Sequence, residues 1–166
     1  MIVLSRTVLS TKRQKDTINL NLGRILVFCE GMTEKQYLVF DCDDPPNVQK
    51  VILQMLGSES KFELLVSNYL FEVWLLMHFE NVETKMTKRA IYNRLTHHLT
   101  RAYKKASQGI IREIIQNGNV EAAISNAEEL EAKYKIEEKD ITSNIGEMNP
   151  YTNMHILIEQ LMAEIS

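Results

Sequence analysis

The sequence predicts an α/β protein in which a small, mainly parallel sheet is covered by helices and followed by a helical second half. Three observations carry that reading. Ile25, Leu26, Val27, Phe28 and Cys29 form an unbroken apolar run, as expected of a strand buried on both faces. Leu38, Val39 and Phe40 form a second run that stops at Asp41, and residues 62–66 form a third. Beyond residue 69 apolar residues recur at helical spacing almost to the end of the chain.

With 166 residues, the chain is long enough for one ordinary domain with a real core. The expected organisation is an N-terminal arm over residues 1–23 and a single domain over 24–166. Within that domain, residues 24–80 make the sheet core and 81–166 the helical portion. Two cysteines, Cys29 and Cys42, supply neither a disulfide framework nor a zinc site, so a reducing cytoplasm is the expected location. No apolar stretch has the length of a membrane span, and no signal-peptide core opens the chain. The formal net charge of −3 says little about partners; the placement of charge says more.

In the arm, Arg6, Lys12, Arg13 and Lys15 precede the first acid, Asp16, and Ile18, Leu20 and Leu22 alternate as in a lead-in strand or a loose segment. After Pro46, the spacing of Val48, Val51, Ile52, Met55 and Leu56 predicts a helix that stops at Gly57. The third strand run ends at Ser67 and Asn68. Residues 69–79 are then nearly all apolar, which predicts a helix buried on most sides. Glu72 is the exception inside it, and a buried carboxylate needs a partner. Either the N–H groups of its own first turn or a metal site beyond Ser67 and Asn68 would supply one. His78 reads as a packed or surface histidine.

Residues 85–105 hold Lys85, Lys88, Arg89, Arg94, Arg101, Lys104 and Lys105 and no acid. Arg94, His97, His98, Arg101 and Lys105 recur at i, i+3, i+4, i+7 and i+11, which predicts a basic ridge on one helical face. Ile91, Leu95, Leu99 and Ala102 would form the neighbouring apolar stripe. A one-signed ridge suits a nucleic-acid backbone, and a solvated basic face is the plain alternative. Residues 109–116 predict a short helix broken at Asn117 and Gly118. Val120, Ala123, Ile124, Ala127 and Leu130 predict an amphipathic helix, and residues 135–148 a polar loop. Asn149, Pro150, Tyr151 and Thr152 would open a last helix whose Met154, Leu157, Ile158, Leu161, Met162 and Ile165 face inward.

The strongest chemical signal is Asp41, Asp43 and Asp44, after which Pro45 and Pro46 forbid the strand to continue. Asp41 and Asp43 lie two apart and would point to the same side of a strand. Two such carboxylates resist ionising together unless a cation intervenes, and a hard divalent ion such as Mg²⁺ takes oxygen ligands. The same residues fit a helix start equally well, with Asp44 as N-cap and Pro45 in the first position. Both readings hold together. Glu30 ends the first strand run as Asp41 ends the second, and open α/β sheets bind ligands beyond such ends. An exposed loop acid is the alternative for Glu30.

Several pieces succeed one another in a recognisable order. Glu30, Gly31, Thr33 and Glu34 follow the run at 25–29. Val39, Phe40, Asp41, Cys42, Asp43 and Asp44 come next, then Ser67 and Asn68 with Phe71, Glu72, Val73, Trp74 and His78, and finally Asn149, Pro150, Tyr151 and Thr152. In this combination the chain resembles the RloB-like family, whose members stand beside bacterial restriction–modification and abortive-infection systems. That family is similar to Toprim-fold enzymes, in which a glutamate and an Asp-x-Asp pair hold Mg²⁺ for phosphodiester chemistry. The resemblance implies a Toprim-like sheet and catalytic and metal-holding roles for Glu30, Asp41 and Asp43. It also implies Asp44 as a metal ligand, support from Glu34, Ser67, Asn68 and Glu72, and Mg²⁺ or Mn²⁺ as cofactor. The implied function is that of a Mg²⁺-dependent nuclease, or another phosphodiester-acting protein, of phage defence. The alternative is a non-catalytic subunit that binds nucleic acid or an ATPase encoded alongside.

Two departures from the family matter. Tyr69 follows Ser67 and Asn68 where the family tends to have proline. The family also places several dozen residues between the glutamate loop and the aspartate strand, whereas here Glu34 is followed by Lys35, Gln36, Tyr37 and then Leu38. Neighbouring parallel strands need a crossover of about a dozen residues or more, and only residues 30–37 separate these two runs. Antiparallel pairing would hold Glu30 and Asp41 more than ~10 Å apart. The expectation is a sheet reduced by an internal deletion, and a site incomplete in one chain unless an oligomer completes it.

Overall fold

The computed structural model describes residues 2–5, 9–10, 36–42, 45–56, 62–105 and 107–165. Among these residues the sheet has five strands: β1 (Ile2–Ser5), β2 (Leu9–Ser10), β3 (Gln36–Asp41), β4 (Phe62–Asn68) and β5 (Tyr151–Thr152), in the order β2-β1-β3-β4-β5. Among the described residues six helices accompany it: α1 (Pro45–Leu56), α2 (Glu72–Met77), α3 (Lys88–His98), α4 (Gln108–Asn117), α5 (Val120–Ile136) and α6 (Met154–Ile165). The α/β class, the small sheet and the helical second half are as the sequence predicts. The pairing is mixed instead of mainly parallel. Among the described strands only β3 and β4 run parallel, with Asp41 beside Ser67; β1–β2, β1–β3 and β4–β5 are antiparallel.

The β3–β4 link, which contains α1, has the length that a parallel crossover needs, whereas the three residues between β1 and β2 allow only an antiparallel turn. The segment read as an N-terminal arm contributes β1 and β2, and the outer strands of the described sheet, β2 and β5, have two residues each. The apolar run at residues 25–29, with Glu30 and Glu34, lies outside the described residues, as do Asp43 and Asp44.

Leu38 and Leu65 are buried in the sheet, and Ile52 of α1, Leu76 and Met77 of α2, and Ile91 and Leu95 of α3 are buried with them. The apolar stretch at 69–79 yields a helix over Glu72–Met77 alone, all six residues buried. Asn126 on α5 closes its end by donating to the carbonyls of Met77 and Glu80 at 2.8 and 3.3 Å. The next carbonyl, of His78, accepts from the Asn119 N–H at 2.9 Å. A Cβ at Gly118 would lie 2.8 Å from that of His78 and 2.7 Å from the Ile114 carbonyl, so the close approach of these segments needs glycine.

The residues expected to open the last helix do something else. Tyr151 and Thr152 are β5, paired with Asn68 and Ser67, and the helix begins at Met154. Asn153 then extends the ladder with its side chain. Its Oδ1 accepts from the Val66 N–H at 2.7 Å, its Nδ2 donates to the Leu64 carbonyl at 2.8 Å, and its own N–H donates to the Val66 carbonyl at 3.3 Å. The edge of β4 is buried, so these groups need partners that water cannot supply, and that demand overrides the helix-start pattern. Along α6, Met154 and Leu157 are buried, but Leu161, Met162 and Ile165 are exposed, contrary to the inward-facing stripe expected. Its first turns follow β5 onto the sheet, and the rest runs on beyond the core.

Asn153→Ala should therefore lower stability by about 2–4 kcal/mol, the cost of leaving a buried donor and a buried acceptor unpaired. A shift in the urea midpoint with an unchanged slope would show it. Asn153→Asp should be as severe, because it faces the Leu64 carbonyl with an acceptor.

Candidate active site

Asp41 is the last residue of β3 and lies beside Ser67 near the end of the parallel β4. This pair of carboxyl ends is where an α/β sheet offers a ligand site. The chain leaves β4 through Asn68 and Tyr69 and enters α2, whose first residue is Glu72. That turn packs on Asp41, since the Phe71 N–H donates to Asp41 Oδ1 at 2.7 Å. Burial raises the Asp41 pKa above its ordinary value, and Glu72 adds to the rise; Lys105 and the Phe71 N–H oppose it.

Glu72 is 1% exposed. Its partners are not the N–H groups of its own first turn. Tyr103 and Tyr92 donate their hydroxyls to its Oε1 at 2.9 and 3.2 Å, and Lys105 Nζ lies 3.8 Å away. The two tyrosine rings meet edge to face with centroids 4.9 Å apart. Burial first, and the Glu72 charge second, push the Tyr92 pKa up to about 12 and that of Tyr103 higher still, so both remain neutral donors. Glu72 Oε2 is buried and accepts no hydrogen bond. Lys105 also lies 3.5 Å from Asp41 Oδ2, so one ammonium faces two carboxylates.

The basic ridge of the sequence is not a helical face. α3 ends at His98, and Leu99 is already extended. Thr96 turns the chain: its hydroxyl donates to the Tyr92 carbonyl and accepts from the Tyr103 N–H. Arg94 and His98 lie 2.7 and 3.5 Å from Glu80, and Arg101 lies 3.6 Å from Glu113. Lys105 serves Asp41 and Glu72, while His97 is exposed. In the apolar stripe Ile91, Leu95 and Leu99 are buried and Ala102 is exposed. Lys85, Lys88, Arg89 and Lys104 face solvent.

Of the residues the sequence singled out, the structure brings Asp41 and Glu72 together. Ser67 and Asn68 lie close in the chain but are tied elsewhere. The Ser67 hydroxyl is 3.0 Å from that of Thr152, and Asn68 Nδ2 donates to the Ile145 carbonyl at 2.6 Å. His78 is half-buried, with Nδ1 3.0 Å from the Trp74 carbonyl, and burial lowers its pKa. Sequence reasoning missed Tyr92 and Tyr103, although a buried glutamate and a nearby acid-free stretch were the available signals. Among the described residues no group of three or more His, Cys, Asp and Glu is placed to hold a metal. The donors that are present, two carboxylates with one buried oxygen lacking a partner, are of the type a hard cation takes.

Two outcomes follow from this electrostatics. Tyr103→Phe should cost about 2 kcal/mol in denaturant unfolding, since it removes a buried hydrogen bond to a charge. That cost should shrink when Glu72→Gln is already present. Asp41→Asn should raise the melting temperature at neutral pH, because a pKa raised by folding means that ionised Asp41 destabilises the fold. Below the ordinary aspartate pKa both states are protonated, so the gap between variant and wild type should close as a melting series moves to acid pH.

The family model described as RloB-like protein matches residues 37–161. No curated protein and no solved structure matches the chain.

Proposed function

Because the chain belongs to the RloB-like family, we propose that it acts on phosphodiester bonds of nucleic acid with a hard divalent cation, Mg²⁺ or Mn²⁺, as part of bacterial phage defence. The observation that carries this reading is the pair of carboxylates at the carboxyl ends of the parallel strands, Asp41 and the buried Glu72, with one Glu72 oxygen still without a donor. Asp41 would hold the cation, with Glu30, Asp43 and Asp44 as the family resemblance implies. When bound, such a cation activates a water and stabilises the departing oxygen.

The chain's own residues would do the remainder. Tyr92 and Tyr103 fix the Glu72 carboxylate, and the Phe71 N–H fixes that of Asp41, so neither needs reorganising as charge develops. The exposed cations Lys85, Lys88 and Arg89 would grip the nucleic-acid backbone. Lys88 and Arg89 occupy the first turn of α3, where the helix dipole disfavours cations and no acid offsets them. An anionic partner would remove that penalty.

A second reading, a non-catalytic subunit that binds nucleic acid or a neighbouring ATPase, draws on Lys105, which already sets a positive charge between Asp41 and Glu72. The two readings separate in one experiment: purified full chain with single- and double-stranded DNA and RNA, with and without Mn²⁺ or Mg²⁺. The nuclease reading expects metal-dependent cleavage that Asp41→Asn reduces at least about 100-fold, a fall of ~2.7 kcal/mol or more in transition-state stabilisation. Equal cleavage by the variant would sink it. Changing Lys85, Lys88 and Arg89 together to Glu should weaken binding and flatten its salt dependence. Binding of unaltered strength and salt slope would make these residues a solvated face.

A further inference from the structure

We propose that Lys105 is the resting counter-cation of a divalent-cation site whose ligands include both Asp41 and Glu72, and that an entering cation displaces it. The inference rests on the metal reading above and assigns Glu72 a direct ligand role. Lys105 Nζ lies 3.5 Å from Asp41 Oδ2 and 3.8 Å from Glu72 Oε1, both beyond the ~2.8 Å of a tight charge-assisted hydrogen bond. The ammonium is thus held by the field of two carboxylates more than by fitted contacts. One positive charge against two negative ones leaves the cluster net negative, which a divalent ion would balance. Glu72 Oε2 is buried with no hydrogen-bond partner, although burying a carboxylate oxygen unpaired is costly.

The three groups differ in how firmly they are held. Glu72 is pinned by two tyrosine hydroxyls, and Asp41 by the Phe71 N–H. The Lys105 side chain is 53% exposed, on a flexible and strongly hydrated stem, and so leaves easily for water. Displacement would therefore move the lysine and leave both carboxylates in place. The lysine spares the apo protein much of the repulsion between Asp41 and Glu72, at the expense of affinity for the metal.

Calorimetric titration of the full chain with Mn²⁺ tests this without relying on cleavage. Lys105→Met should bind Mn²⁺ about tenfold more tightly, the size of an ordinary coupling between competing ligands, whereas Lys105→Arg should stay near wild type. Glu72→Gln should weaken binding at least as much. Unchanged or weaker Mn²⁺ affinity in a folded Lys105→Met variant would overturn the proposal. A second measurement uses the wild-type chain: acylation of Lys105 by an amine-reactive ester should accelerate on adding Mn²⁺, and a slower or unaltered rate would overturn it equally. Tighter Mn²⁺ binding by Lys105→Met without nucleic-acid cleavage by wild type supports the exchange and removes the nuclease reading. Cleavage by wild type with unaltered Mn²⁺ affinity in Lys105→Met does the reverse.

Discussion

A carboxylate sealed inside the protein sets the terms for much of this structure. Glu72 begins α2, a helix with every residue buried, so water cannot solvate its charge. Leaving such a group unpaired would cost several kcal/mol, a large share of the stability of any single domain. Three residues from one later segment answer it: Tyr92 on α3, and Tyr103 and Lys105 beyond that helix. Meeting Glu72 is what obliges the chain to leave the helix at His98 and turn back, with the Thr96 hydroxyl bracing the turn. The charge thereby organises the segment that covers it, and brings Lys105 to Asp41 at the end of β3.

A second constraint holds the sheet side of the site. β4 would be an edge with buried, unpaired backbone groups if nothing covered it. β5 and the Asn153 side chain supply those partners in sequence, from Asn68 back to Leu64. Ser67 and Asn68, next to the turn that leads into α2, are fixed at the same time through Thr152 and Ile145. The Asn-Pro-Tyr-Thr segment is thus part of the frame that holds Ser67 and Asn68 in place.

Charge placement shows the same division between local pattern and tertiary demand. The cations at 85–105 look one-signed in sequence because their acids lie elsewhere in the chain. Glu80 answers Arg94 and His98, Glu113 answers Arg101, and Asp41 with Glu72 answers Lys105. Lys85, Lys88 and Arg89, exposed at the N-terminal end of α3, and Lys104, exposed beyond its other end, are a smaller set than the ridge read from sequence. Long-range ion pairs cannot be read from periodicity, since each joins segments whose contact only the fold establishes.

By itself the sequence determined the class of the fold, the β3 and β4 strands, the break at Asn117 and Gly118, and the amphipathic α5. Those features follow from hydrophobic period and from the backbone preferences of proline and glycine, which act locally. It also determined that Asp41 ends a strand and that Glu72 requires a partner, because both statements concern a residue and its neighbours in the chain. Only the tertiary structure decided which partners Glu72 received, where α3 stopped, and that Tyr151 and Thr152 form a strand instead of a helical turn. Each of those outcomes was settled by a buried polar group finding its complement far away in sequence, and that need outweighs local propensities worth a few tenths of a kcal/mol per residue, about 0.5 or less in most cases.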